Sequence, residues 1–156
     1  MSSNEDLIRL NYGDGTREDG RSTRLRSESL EFHYTKKIMG EFIRKTDRVL
    51  EIGCATGYYT MHFADKCKEY AGVDLLPEHI EIFSRKIKEN NLANVSCQVG
   101  DATNLINIPG NSFDVVCCFG PMYHLPPGER ELVFAECLRA ARFRLSQFLH
   151  GVRRGI

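Results

Sequence analysis

Val49-Leu-Glu-Ile-Gly-Cys-Ala-Thr-Gly-Tyr-Tyr-Thr60 decides the fold of this chain. A short apolar run from Arg48 to Ile52, carrying one acid at Glu51, gives way to glycines at 53 and 57. That order describes a buried parallel strand, a tight turn and the start of a helix. Glycine suits such a turn because it takes positive φ and lets a ligand approach the backbone closely. The turn is expected to present backbone N–H groups at a helix N-terminus, where a ligand carboxylate or phosphate is favoured.

Spacing separates two nucleotide-type ligands that use a turn of this kind. A dinucleotide fingerprint, G-x-G-x-x-G, would need glycine at 55 and 58, where this chain has Ala55 and Tyr58. Glu51-x-Gly53-x-Ala55-x-Gly57 instead resembles motif I of the class I S-adenosylmethionine-dependent methyltransferases, D/E-x-G-x-G-x-G, with alanine in the middle position. Three later segments stand where that family would have them. Tyr70-Ala-Gly-Val-Asp74, 17 residues after Gly57, is a strand ending in an acid. A carboxylate there can accept from both ribose hydroxyls, each charge-assisted bond contributing about 1.5–3 kcal/mol. Val95-Ser-Cys-Gln-Val-Gly-Asp101 repeats the pattern, and Asn111 to Leu125 resembles motif IV, a β-branched strand with the polar, aromatic exit Gly-Pro-Met-Tyr-His-Leu.

The resemblance implies a fold, a cofactor and a site. The fold is a Rossmann-like α/β architecture, a parallel sheet with helices on both faces in three layers. The cofactor is S-adenosylmethionine, with S-adenosylhomocysteine as product. Its site takes in the turn residues Glu51, Gly53, Cys54, Ala55 and Gly57, then Asp74 and Leu75, Asp101 and Ala102, and Phe119. Asp101 is expected to accept from the adenine amino group and the Ala102 N–H to donate to the ring. Glu51 has two readings, orienting the turn or touching the ligand's amino group. Asp74 and Asp101, each taken alone, read as strand-end caps; their order and spacing after motif I turn them toward the ligand. Tyr58 and Tyr59 read as packing or pocket rim, and Cys54 as a small turn-facing residue rather than a nucleophile.

Composition bounds the remaining possibilities. A chain of 156 residues is one domain with room for a real core. No apolar run approaches membrane-spanning length, and Met1 to Asp6 lacks the basic and apolar regions of a signal peptide. Six cysteines without a C-x-x-C pair read as reduced core thiols of a cytoplasmic protein, with no metal site. Formal net charge is zero, so no electrostatic footprint for nucleic acid is expected.

Elements alternate along the chain. Residues 1–27 are polar and turn-rich, a mobile segment or lid. A helix from about Ser29 to Arg44 is expected to face the core with Leu30, Tyr34, Ile38 and Phe42. Residues 28–138 form the cofactor-binding core: strand one, a helix over 57–66, strand two, a helix from Pro77 with Ile80, Phe83 and Ile87 as its apolar stripe, strand three at 95–99, strand four at 113–119, and a helix from Pro127. Such alternation implies right-handed crossovers and a ligand at the strands' carboxyl ends.

Beyond residue 138 the resemblance fails, because the family continues with L-K-P-G-G and three more strands. Here residues 139–156 hold five arginines and no acid. This tail reads as a truncated or frame-shifted end, which leaves open a cofactor-binding remnant without turnover. Phe134, Leu138, Ala141, Leu145, Phe148 and Val152 recur at helical spacing, so the last helix is expected to run on to about His150 rather than give way to a strand through Phe143 and Leu145. An uncovered strand-four edge would then favour a homodimer or burial by the tail.

The implied reaction is in-line methyl transfer to a small-molecule acceptor, which needs alignment more than it needs acid–base help. Tyr123 and His124 at the strand-four exit are the candidate substrate-side residues, His124 as general base or as pocket lining. Tyr12 and Tyr34 are candidates for closing the pocket. A nicotinamide-dependent oxidoreductase is the alternative that Ala55 and Tyr58 argue against.

Overall fold

In a computed structural model, residues 4–13 and 26–142 are described. Their elements are α1 (Asn4–Tyr12), α2 (Arg26–Phe42), β1 (Arg48–Ile52), α3 (Tyr58–Phe63), β2 (Glu69–Asp74), α4 (Pro77–Glu89), β3 (Val95–Val99), β4 (Val115–Cys118) and α5 (Pro127–Ala140). All strand pairs are parallel and the order is β3-β2-β1-β4. The chain winds from β1 out to β3, then returns to the other side of β1. The β1–β4 boundary is therefore the switch point, where connections diverge and leave a crevice at the carboxyl ends.

Period-two alternation divides the strand residues between two cores. Val49 and Tyr70 join Phe32, Met39, Phe63 and Phe83 on one face, under α2, α3 and α4. Leu50, Ile52, Ala71 and Val73 join Val133, Cys137 and Ala140 on the other, under α5 and the 105–113 loop. With helices on both faces the sheet is the middle of three layers, as expected. All six cysteines are free thiols.

Two helices show the expected period with a different phase. On α2 the buried face is Phe32 and Met39, continued by Ile43 just past its end, while Leu30, Tyr34 and Ile38 are exposed. Phe32 settles the phase because its ring sits 4.1 Å from that of Tyr58 and 5.2 Å from that of Tyr59. On α5 the core takes Val133, Cys137 and Ala140, leaving Phe134 and Leu138 exposed. Both helices carry two adjacent apolar stripes, and periodicity does not say which of them faces the sheet. On α4 the expected phase holds, with Phe83 fully buried and Ile80 and Ile87 packed beside it.

The last helix does not run on to His150. It ends at Ala140; Ala141 is extended at φ −70° and ψ 137°. Ala141 forms a parallel bridge with Phe113, and the Arg142 N–H donates to the Phe113 carbonyl at 2.7 Å. Ala141 and Arg142 thus pair with the backbone just before β4 instead of adding a helical turn. Phe143, Leu145 and the rest of the tail lie outside the described residues. Arg139, the first arginine of the compositional break, is tied into the core side of the molecule. It pairs with Glu136 at 2.7 Å and donates to the carbonyls of Leu105 and Ile108 at 2.9 and 2.8 Å.

The spacing of the motif I turn is a backbone requirement. Gly53, Ala55 and Gly57 all lie in the left-handed region, at φ +76°, +45° and +81°. A Cβ at Gly53 would overlap Pro121, and one at Gly57 would overlap the Phe83 ring. The close approaches that these glycines allow are thus to the strand-four exit and to α4. Gly57→Ala combines a left-handed alanine with overpacking and should cost about 2 kcal/mol or more. Urea denaturation of the two proteins measures this, and an unchanged midpoint would refute the packing described.

Candidate functional site

The carboxyl ends of β1, β2 and β3 bring the Gly53–Gly57 turn, Asp74 and Asp101 to one edge of the sheet, with the β4 exit beside them. Four N–H groups of the turn are engaged within the fold. Those of Gly53 and Cys54 donate to the Val73 carbonyl at 2.7 and 3.1 Å, and that of Gly57 to Cys54 at 2.9 Å. The Ala55 N–H donates to Asp74 Oδ2 at 2.8 Å. Three left-handed residues fold the turn tightly enough to engage these four donors and to clasp the end of β2.

Asp74 is buried and densely bonded. Besides Ala55 it accepts from the Leu76 N–H at 3.0 Å, and its Oδ1 lies 3.1 Å from His79 Nδ1. Carboxylates have about four lone-pair directions. The chain fills three of them, leaving one on Oδ2. Leu75, half-buried, follows directly. Asp101 is exposed and closes its own turn, its Oδ1 accepting from the Thr103 N–H and hydroxyl, both at 2.8 Å. Ala102 beside it is half-buried.

Glu51 points away from this edge. It shares the sheet face of Val49 and Tyr70 and is buried, accepting from the Tyr70 hydroxyl at 3.0 Å and the Thr60 hydroxyl at 3.2 Å. These side-chain contacts fasten β1 to β2 and to the first turn of α3. Burial pushes its carboxyl up to about 8, against the opposing pull of the two hydroxyl donors. Cys54 is also buried, and burial holds its thiol well above the ordinary value, as suits a packing residue.

The strand-four exit is a single 3₁₀ turn, Pro121–Tyr123. Phe119 lies 5.7 Å from the Tyr59 ring. Tyr123 is 67% exposed, whereas His124 is half-buried with the Tyr12 ring edge-on at 5.1 Å. Helix α1 therefore reaches across the site. Its Arg9 pairs with Glu78, and the Tyr12 carbonyl accepts from His79 Nε2 at 2.8 Å. Tyr34, expected at the pocket, is 57% exposed on α2. Residues that sequence reasoning passed over are Thr60, Tyr70 and His79. The first two read as ordinary helix and strand residues. His79 alone carried a signal, a polar side chain four residues before Phe83 and on the same face of α4. Among the described residues no helix is long and apolar enough to cross a membrane, and no cluster of three or more His, Cys, Asp or Glu side chains is suited to a metal ion.

This arrangement is that of a known class of domain. Residues 49–143 match the methyltransferase domain family, and the chain belongs to it. It is 35% identical over 81 residues to the uncharacterized methyltransferase YcgJ of Bacillus subtilis, a stretch covering 52% of this chain and 32% of that protein. The crystal structure of YcgJ superposes with a TM-score of 0.67 at 28% identity, over 76% of this chain and 50% of that one. An uncharacterized RNA methyltransferase of Streptococcus pneumoniae is 29% identical over 82 residues, covering 53% of this chain and 18% of that protein. The fold of DhpI, solved in complex with SAM and HEP, matches at a TM-score of 0.70 and 20% identity, over 92% of this chain and 64% of that one. The chain thus spans less than two-thirds of the length of these relatives.

The protonation state of Glu51 has a measurable consequence. Above pH 4.5 the unfolded chain gives up a proton that the folded chain keeps until about 8, so this residue makes stability fall as pH rises through that window. Glu51→Gln keeps an acceptor for Tyr70 and Thr60 and removes the titration. Relative to the variant, the native chain should lose on the order of a few kcal/mol across the window. Urea unfolding at a series of pH values reads the difference, and parallel profiles would show that Glu51 ionises freely.

Proposed function

We propose that this chain binds S-adenosylmethionine at the carboxyl ends of β1–β3 and transfers its methyl group to a small-molecule acceptor. The observation that carries the reading is Asp74, a buried carboxylate at the end of β2, fixed by two backbone N–H groups and retaining one acceptor direction on Oδ2. Such a group recognises a ribose hydroxyl, and the donor set around it fits the cofactor. Asp101 retains acceptor capacity for an adenine amino group, with the Ala102 N–H beside it. Leu75 offers an apolar surface after Asp74. The half-buried ring of Phe119, backed by the buried Tyr59, offers aromatic surface suited to a cationic or planar partner. Gly53, Cys54, Ala55 and Gly57 shape the floor, and Glu51 holds that floor in place from beneath.

When bound, the cofactor supplies a methyl group already activated on a sulfonium, so the protein's task is alignment. The β4 exit and α1 do this from the acceptor side. Tyr12 lies across His124, which narrows the approach and favours an acceptor of small size. His124 and Tyr123 are the groups placed to orient it, and His124 takes up a proton where the acceptor must lose one. The relatives named as RNA methyltransferases make RNA the acceptor to test alongside.

Asp74→Ala should weaken S-adenosylhomocysteine binding at least about tenfold, the loss of one charge-assisted bond. Calorimetric titration of both chains tests it, with circular dichroism to show that the fold is kept; equal affinities would remove the ribose from Asp74. Transfer of labelled methyl to small nucleophiles or to RNA then identifies the acceptor class.

A further inference from the structure

His79 is buried, and both its ring nitrogens face acceptors. A backbone carbonyl can only accept, so the nitrogen at the Tyr12 carbonyl carries a hydrogen. An ionised carboxylate can only accept as well, so the nitrogen at Asp74 Oδ1 also carries one. A neutral imidazole has a single N–H and satisfies one of these partners. The two together call for one proton more. With the Ala55 and Leu76 N–H groups already donating to Asp74, that proton is placed on the ring. Among the described residues, Glu78, beside His79 on α4, and Arg9 of α1 also stand at this corner and pair with each other. Asp74 is the carboxylate within hydrogen-bond distance of the ring.

We propose that His79 is a positioning residue, an imidazolium that fixes the Asp74 carboxylate for the cofactor and ties α1 across the site. The proposal rests on the assignment of Asp74 to the cofactor ribose. By holding Oδ1, together with Leu76, it turns the remaining acceptor direction of Oδ2 toward the ligand. Its second bond, to the Tyr12 carbonyl, sets the end of α1, and the ring of that same Tyr12 lies against His124. One tyrosine thus joins the carboxylate at the cofactor end to the exit of β4 at the acceptor end. An arrangement of the site that displaces His79 loosens both.

Two measurements on the 156-residue chain decide the matter. Nitrogen–proton correlation spectra of the histidine rings, with His79 assigned by substitution, should show both ring nitrogens of His79 protonated at neutral pH. A ring that only packs would be neutral there, and finding it neutral would overturn the proposal. His79→Met preserves apolar volume and removes both hydrogen bonds. It should weaken S-adenosylhomocysteine binding about tenfold. Unchanged affinity in His79→Met, with affinity lost in Asp74→Ala, would leave the ribose assignment standing and refute the role of His79. Unchanged affinity in both would refute the ribose assignment and this proposal with it. Should His79→Met fail to fold, the ring spectrum of the unmodified chain still decides.

Discussion

Three alternate residues in the left-handed region, Gly53, Ala55 and Gly57, are the constraint on which the rest of this structure depends. L-residues resist that conformation by roughly 1–2 kcal/mol each, which glycine avoids and alanine bears at least steric cost. The reversed backbone hooks the end of β1 over β2, where Val73 and Asp74 receive its N–H groups. It also leaves two places without side chains. Pro121 fills one and Phe83 the other, so the turn is the point at which the β4 exit and α4 are registered against the sheet.

Beneath that turn lies a second fixed point. Glu51, Tyr70 and Thr60 form a buried polar contact among β1, β2 and α3. Burying a carboxyl is costly unless it is neutral or well bonded, and this one keeps its proton to about 8 while receiving two hydroxyl donors. Polar specificity at the centre of the sheet thus comes with sensitivity to pH. Asp74, one strand over, has different partners: two backbone N–H groups and His79. Of these two acids at neighbouring strand ends, one holds the scaffold and the other is the one proposed to meet the ligand.

The site edge is completed by parts distant in sequence. Helix α1 crosses it through Arg9 and Tyr12, the β4 exit contributes His124, and α4 contributes Glu78 and His79. Methyl transfer from an activated donor asks mainly for alignment and for exclusion of competing nucleophiles. Under the function proposed above, a helix tied to both His79 and His124 would answer that need.

The motif I turn, the acid ending each of β2 and β3, and the alternation of strands with helical patterns were legible because each is a local property. Buried parallel strands read as apolar runs, a tight turn reads as glycine, and a strand-end acid stands next to its strand. Phase was not legible. Leu30 and Phe32 on α2, or Cys137 and Leu138 on α5, are equally apolar, and only the facing surface chooses between them. Nor was the end of α5: the apolar spacing runs on past Ala140, but Ala141 forms an extended bridge with Phe113. His79 shows the same division. By itself the sequence determined the class of fold, the cofactor family it resembles and the carboxylate of Asp74. Tertiary structure alone decided that Glu51 faces inward, that the turn uses its own N–H groups, and that His79 stands between Asp74 and Tyr12. Those outcomes depend on contacts between residues far apart in the chain, which no local pattern encodes.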